Sequence, residues 1–183
     1  MSDQAAPAQP RITARVIRQA LFLTGVFAII GATLGPTGFD DLSRRFAEGH
    51  PHAPDLSRIA RAPMVIQLHL ATVLLGFGIG TLQMVGVKGT PMHRALGWSF
   101  VLFMAFTALD ALFIKDGPTW RFTPLQLFVP MVLIVVPVAV LAARRHDAAA
   151  HARWMRGLYY GGLFWAGLLA FLPGRLLWNV FFG

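Results

Sequence analysis

Apolar runs alternate with polar, proline-punctuated links along the whole chain, and five of the runs reach membrane-spanning length. A helix needs about 20 mainly apolar residues to cross the hydrocarbon core of a bilayer. The first run extends from about Ile17 to Leu34 and ends at Gly35-Pro36. The second extends from about Pro63 to Val85, the third from Thr90-Pro91 to near Ile114, and the fourth from Thr123-Pro124 to near Ala143. The fifth starts after Asp147 and continues to Phe182. Thr90-Pro91 and Thr123-Pro124 each place a capping oxygen before a proline at the first helical position, and Asp147 caps the fifth helix in the same way. Pro130 and Pro137 fall inside the fourth run and Pro173 inside the fifth, where each predicts a kink. The expected fold is all-α, an integral membrane bundle of five transmembrane helices.

These runs divide the chain into four parts. Residues 1–15 form a polar, alanine- and proline-rich tail expected to be disordered. Residues 16–36 form the first span, too long for a signal-peptide core. Residues 37–62 form a loop with a short amphipathic helix expected around Phe39 to Phe46. Residues 63–183 form a four-helix core. Small residues recur at spacing four (Gly31 and Gly35, Gly76 and Gly80, Gly157 and Gly161), a pattern that lets helices approach closely.

Composition agrees with lipid as the solvent. Of 183 residues, 56% are hydrophobic and only 13% charged, with a mean hydropathy of +0.59. A soluble domain carries about 25% charged residues. The net charge of +8 does not point to nucleic acid, because the basic residues sit between apolar runs and carry no aromatic-studded patch. They act as topology signals instead. Arg11, Arg15, Arg18, Lys88, Arg94, Arg144, Arg145, Arg153 and Arg156 fall on one side, with only Asp3 and Asp147 as acids. Arg44, Arg45, Arg58, Arg61, Lys115 and Arg121 fall on the other, against Asp40, Asp41, Glu48, Asp55 and Asp116. The more basic side is the cytoplasmic one. The expected location is a bacterial inner membrane, with the N-terminus cytoplasmic and the C-terminus periplasmic.

Cysteine is absent, which excludes disulfides, thiolate metal sites, iron–sulfur clusters and covalent haem attachment. Haem held by histidine stays open. No phosphate-cradling loop, metalloprotease helix motif or nucleophile elbow is present.

Ionisable groups inside a membrane are costly, so each is a functional candidate. His69, Asp110 and Arg175 are the ones that lie within spans. Counting about 1.5 Å per residue puts all three in the external third of the bilayer. They are expected to meet, with Asp110 and Arg175 as an ion pair and His69 beside them as a ligand or proton carrier. A second group sits at the cytoplasmic ends. His93 and Arg94 open the third helix, while His146 and His151 flank the start of the fifth, followed by Trp154. Two histidines on facing helices can hold haem b. Gly97, four residues after His93, is expected to leave a slot for the flat macrocycle, an apolar gap between His93 and His151 lined by Gly97, Trp154 or Met155. His50 and His52 form a His-Pro-His element in the loop. Gln67, Gln83 and Gln126 are expected to bond between helices.

The series His69, Met92-His93-Arg94-Ala95-Leu96-Gly97-Trp98, His146-Asp147 and His151-Ala152-Arg153-Trp154-Met155 resembles a family of bacterial predicted membrane proteins of unknown function. The likeness runs from about Pro63 to Gly183. More loosely, histidines on a four-helix core are similar to the cytochrome b561 and ferric-reductase group. This chain lacks the repeated in-span histidine pairs that stack two haems there, so the likeness implies one haem rather than two.

The expected function is therefore haem b binding with electron transfer to or from quinone. His93 and His151 are the axial ligands in this reading, His69 is an alternative ligand, and Asp110 and Arg175 shape the external pocket. A non-catalytic accessory or assembly subunit of a larger membrane complex is the rival reading. A small transporter using His69 and Asp110 as a proton relay is the third.

Overall fold

The computed structural model describes residues 38–114 and 124–183, with a few isolated positions between 17 and 31. The tail 1–15 and nearly all of the first expected span lie outside the described residues. The described chain is all helical, without a strand. In order, it forms α1 (Gly38–Glu48), α2 (Leu56–Ala60), α3 (Met64–Val85), α4 (Pro91–Asp110) and α5 (Phe128–Arg144). Then come α6 (Ala148–Gly157), a π-helical segment (Leu158–Phe164), α7 (Trp165–Leu169) and α8 (Leu176–Phe182).

Among the described residues, three helical stretches are long and apolar enough to cross a membrane: Met64–Val85, Pro91–Phe113 and Leu125–Arg144. Only 11% of the first of these is buried within the protein. Its Leu68, Leu74, Leu75, Phe77 and Leu82 are exposed, a face suited to lipid.

The caps anticipated from sequence form. The Thr90 side chain accepts from the His93 amide at 3.1 Å, and the Asp147 carboxylate accepts from the Ala150 amide at 2.9 Å. Helix α5 closes on a Schellman turn: the amides of His146 and Asp147 donate to the carbonyls of Ala143 and Ala142, each at 3.0 Å. His146 takes the left-handed conformation this turn requires (φ 58°), a place usually filled by glycine. A 3₁₀ turn, Pro124–Leu127, leads into α5, so Pro130 falls in the first turn and Pro137 is the proline within the helix.

α3 and α4 are antiparallel along one seam. His69 meets Asp110, and the Thr107 hydroxyl donates to the Thr72 hydroxyl at 2.9 Å. Gly76 faces Phe103, Gly80 faces Phe100, and Gln83 donates to the His93 carbonyl at 2.8 Å. One stripe per helix fills the core: Phe100, Met104 and Ala108 from α4, Val129, Val132 and Val136 from α5, and Leu158, Tyr159 and Leu163 from the π segment. That spacing gives each helix a single buried face.

The π segment closes the bundle against α3. Tyr159 stacks on Phe77 (ring centroids 5.7 Å apart) and its hydroxyl bonds Thr81 at 2.7 Å. The ring lies over Gly80, where a Cβ would stand 2.6 Å from Tyr159 Cδ2 and 2.8 Å from Phe100 Cε2. Neither ring can retreat, since Phe100 is fully buried and Tyr159 is tethered. Gly80→Ala should therefore cost about 1–3 kcal/mol through overpacking. At Gly76 the nearest atom to a Cβ is 3.8 Å away, so Gly76→Ala should gain about 0.4–1 kcal/mol from lost unfolded-state freedom. Thermal unfolding of the two variants in micelles reads the difference. Gly157, expected in the same packing role, has nothing within 4 Å of such a Cβ.

The fifth expected helix does not run to Phe182. It stops at Leu169, and the chain turns through residues 170–175 before α8. Pro173 therefore sits in a break rather than a kink. Gly174 provides the left-handed residue of that turn (φ 88°).

Helix α8 then docks on the 37–62 loop, whose amphipathic segment is present as α1. The last carbonyls of a helix lack partners within it. Here the loop supplies them: the amides of His50, His52 and Asp55 donate to Phe182, Phe181 and Val180 at 3.2, 3.0 and 2.9 Å. Arg58 Nη2 donates to the Gly183 carbonyl at 3.1 Å. Trp178 fills the junction, edge-on to Phe46, with its ring against the backbone of Gly49.

Asp55 caps α2. The Ser57 hydroxyl and Arg58 hold its carboxyl below the ordinary value of 3.8, more than its slight burial raises it. A depressed carboxylate stabilises the fold above that value and loses its contribution as pH falls through the lower folded one. The Ser57 amide, which donates to Asp55 Oδ1 at 3.1 Å, should therefore keep its nuclear magnetic resonance shift down to pH 3.8 and move only below it.

Candidate functional site

The histidines sort into the two ends of the bundle. At the end bearing the 86–90 link, His93 stands in the first turn of α4 and His151 in the first turn of α6. They are close enough to act on one another electrostatically, and Lys88 also reaches His93. His151 Nδ1 lies 2.9 Å from the Ala139 carbonyl of α5. A carbonyl oxygen cannot donate, so Nδ1 carries a proton, and in the neutral ring it is Nε2 that holds the lone pair. His93 Nδ1 is buried without a hydrogen-bond partner. A buried ring nitrogen in that state costs free energy unless something binds it.

The surroundings differ from expectation in two respects. Gly97 does not open a slot. The Gln83 carboxamide lies over it, with Nε2 3.1 Å from where a Cβ would stand. Glycine is needed there so that Gln83 can cross to α4 and reach the His93 carbonyl. Trp154, expected to line the gap, is 39% exposed and turned outward. Met155 does face the core.

At the other end His69 and Asp110 meet. His69 Nδ1 is 2.6 Å from Asp110 Oδ1. Asp110 is the one buried charged residue among those described, and its second oxygen, Oδ2, is buried with no partner. The ion pair expected between Asp110 and Arg175 is not what Asp110 makes. Arg175 sits beyond the break, where its amide donates to Leu172 at 3.1 Å and its carbonyl accepts from Asn179 at 3.1 Å. It belongs to the turn that starts α8, and the partner that Asp110 takes is His69.

The loop histidines serve the docking of α8. His52 Nε2 lies 3.1 Å from the Gly183 carbonyl and its Nδ1 lies 2.7 Å from the Ala53 carbonyl. Gln67 donates to the carbonyls of Ala60, the last residue of α2, and of Ala62 at 3.1 and 2.8 Å, so it ties α3 to the end of α2. Two open clefts, of about 560 and 300 Å³, lie beside the loop and α8. Neither includes His93 or His151. No group of three or more histidine and acidic residues able to hold a metal occurs among the described residues.

A family model covers this arrangement. Residues 66–182 match the family described as Predicted membrane protein (DUF2306). The chain belongs to that family. The matched region begins inside α3 and ends at the last residue of α8, so it takes in both histidine ends and the docked helix of this chain. No curated protein and no solved structure matches the chain. Its family and its long apolar helices make it a membrane protein whose surroundings are a lipid bilayer.

The 86–90 end is the one that presents two histidines from different helices. One imidazole has its Nδ1 oriented by a backbone carbonyl and the other has an orphaned buried nitrogen. Room for the macrocycle is governed by Gln83, which now covers Gly97.

Proposed function

We propose that this DUF2306 protein holds one haem b through His93 and His151 and passes electrons to or from a quinone within the membrane. The observation that carries the reading is the His151 Nδ1–Ala139 carbonyl bond. Metal-bound histidines almost always donate the other ring N–H to such a second partner, which fixes the tautomer and aims the free nitrogen. The orphaned Nδ1 of His93 supports it, because iron would satisfy that nitrogen. Bound haem would supply one-electron chemistry, and the chain's own residues would set ligand orientation and exclude water. The loose likeness to the cytochrome b561 group points the same way.

The test is the visible spectrum of the purified full chain after haem addition. A reduced-minus-oxidised haem b band is expected, and its absence at full haem loading would sink the reading. Gln83→Ala, which uncovers Gly97, should raise the haem-bound fraction at limiting haem.

We also propose five spans in a bacterial inner membrane, with the 86–90 end cytoplasmic and the C-terminus periplasmic. The excess of lysine and arginine on that end supports this orientation. Reporter fusions at Lys88 and Pro54 should give opposite sidedness, and equal sidedness would rule the topology out.

A further inference from the structure

We infer that His69 and Asp110 form a proton-binding site, a dyad that takes up and releases one proton as a unit. Three observations carry this. The 2.6 Å separation of His69 Nδ1 and Asp110 Oδ1 requires a proton between them. The Asp110 side chain is only 9% exposed, and its Oδ2 is buried without a donor. His69 is 28% exposed, so the ring has an open side that Asp110 lacks.

Charge makes uptake of a second proton favourable. With one proton on the pair, neutral His69 donates from Nδ1 to ionised Asp110, and the net charge is −1. A buried carboxylate with one oxygen unsatisfied is costly in an apolar medium. The neighbouring hydroxyls do not relieve it: Thr107 donates to Thr72, and Thr72 donates to the carbonyls of Leu68 and His69. A second proton cancels the charge. His69 Nε2 takes it from water and forms an N–H bond, while the shared proton leaves Nδ1 for Oδ1. The product is a neutral imidazole accepting from a neutral carboxylic acid, at net charge zero. Release runs the same steps backwards, with no other reactant.

Among the described residues, the charged groups at this end of the bundle include Arg58, paired with Asp55, and Arg61, bonded to Ser57, in the loop that leads into α3. α3 holds no titratable group besides His69. His93 and Arg94 are at the far end of α4, Arg144 closes α5, and His151, Arg153 and Arg156 lie on α6, all at the 86–90 end. Arg175 is on the near side, at the start of α8, where it is engaged in contacts of its own. No described cation pairs directly with Asp110, so a proton is what balances it. The inference is independent of haem, and its test does not use haem.

The test is a pH titration of the full chain in lipid nanodiscs, followed by infrared difference spectroscopy with ¹³C-aspartate labelling. Of the chain's seven aspartates, Asp110 should give a protonated-carboxyl band that rises on acidification in step with histidine ring bands, at a single midpoint. Asp110→Asn should lose the carboxyl band, and His69→Gln should uncouple it from any histidine change. Should Asp110→Asn fail to fold, Asp110→Glu should shift the band and abolish its response to aspartate labelling. Carboxyl and imidazole bands that titrate apart in the unaltered chain would overturn the inference. So would a carboxyl difference spectrum that is the same in the unaltered chain and in Asp110→Asn.

Discussion

Replacing His93 or His151 with alanine should erase the haem b absorption bands while leaving the chain folded in the membrane. The two losses should be equally complete, because in this reading each imidazole would hold one side of the haem iron. His69 cannot stand in. It lies most of the length of α3 away, on the order of 20 Å at 1.5 Å per residue, and its Nδ1 is engaged by Asp110. The structural cost should differ between the two. His151→Ala removes a bond to the Ala139 carbonyl, worth about 0.5–1.5 kcal/mol. His93→Ala removes a buried nitrogen with no partner, so the apoprotein should lose less. Haem spectra and apoprotein unfolding, measured on the same samples, separate ligand loss from misfolding. If His69→Ala abolished the spectrum and the other two left it intact, the haem would belong to the opposite end of the bundle.

The sequence made much of this legible because the strongest signals are local. Thr90, Pro91 and Asp147 fix helix starts through single hydrogen bonds and a preset backbone angle, and those starts are where the structure has them. The uninterrupted apolar runs of α3, α4 and α5 leave no alternative to long helices. The loop's amphipathic segment was also readable, from charged residues opposite an apolar face. The misreadings have a different origin. Pro173 alone is compatible with a kink or a break, and Gly174 decides for a break by taking a positive φ, which periodicity does not reveal. The π segment leaves no sequence mark beyond its two glycines, yet it rotates Tyr159 onto Gly80.

Partner choice was misjudged at Asp110 for a related reason. Opposite charge suggested Arg175, whereas chain connectivity favoured His69. The short 86–90 link makes α3 and α4 antiparallel neighbours, and residues at similar distances from it must face each other. Thr72–Thr107 and Gly76–Phe103 obey the same register. Counting from the link would have found the pair. At Gly97 the error was to treat a missing side chain as empty space, when Gln83 had the length to fill it.

The largest stability effect is expected from splitting the His69–Asp110 pair. His69→Leu keeps the apolar volume but leaves Asp110, nearly buried and already short of one donor, without its remaining partner. Removing one member of a buried pair costs about 3–5 kcal/mol, much of it from the stranded charge. The double variant His69→Leu/Asp110→Leu strands nothing, and replacing both partners with apolar groups can be nearly neutral. It should therefore be more stable than the single variant, a non-additivity that only contacting residues show. Acidification should rescue the single variant alone, because a proton on Asp110 removes the charge that His69 no longer shares. Unfolding in mixed micelles at neutral and acid pH measures all three. Strictly additive losses, or a single-variant loss that does not shrink in acid, would mean that the pair carries no buried charge and acts only as a staple between α3 and α4.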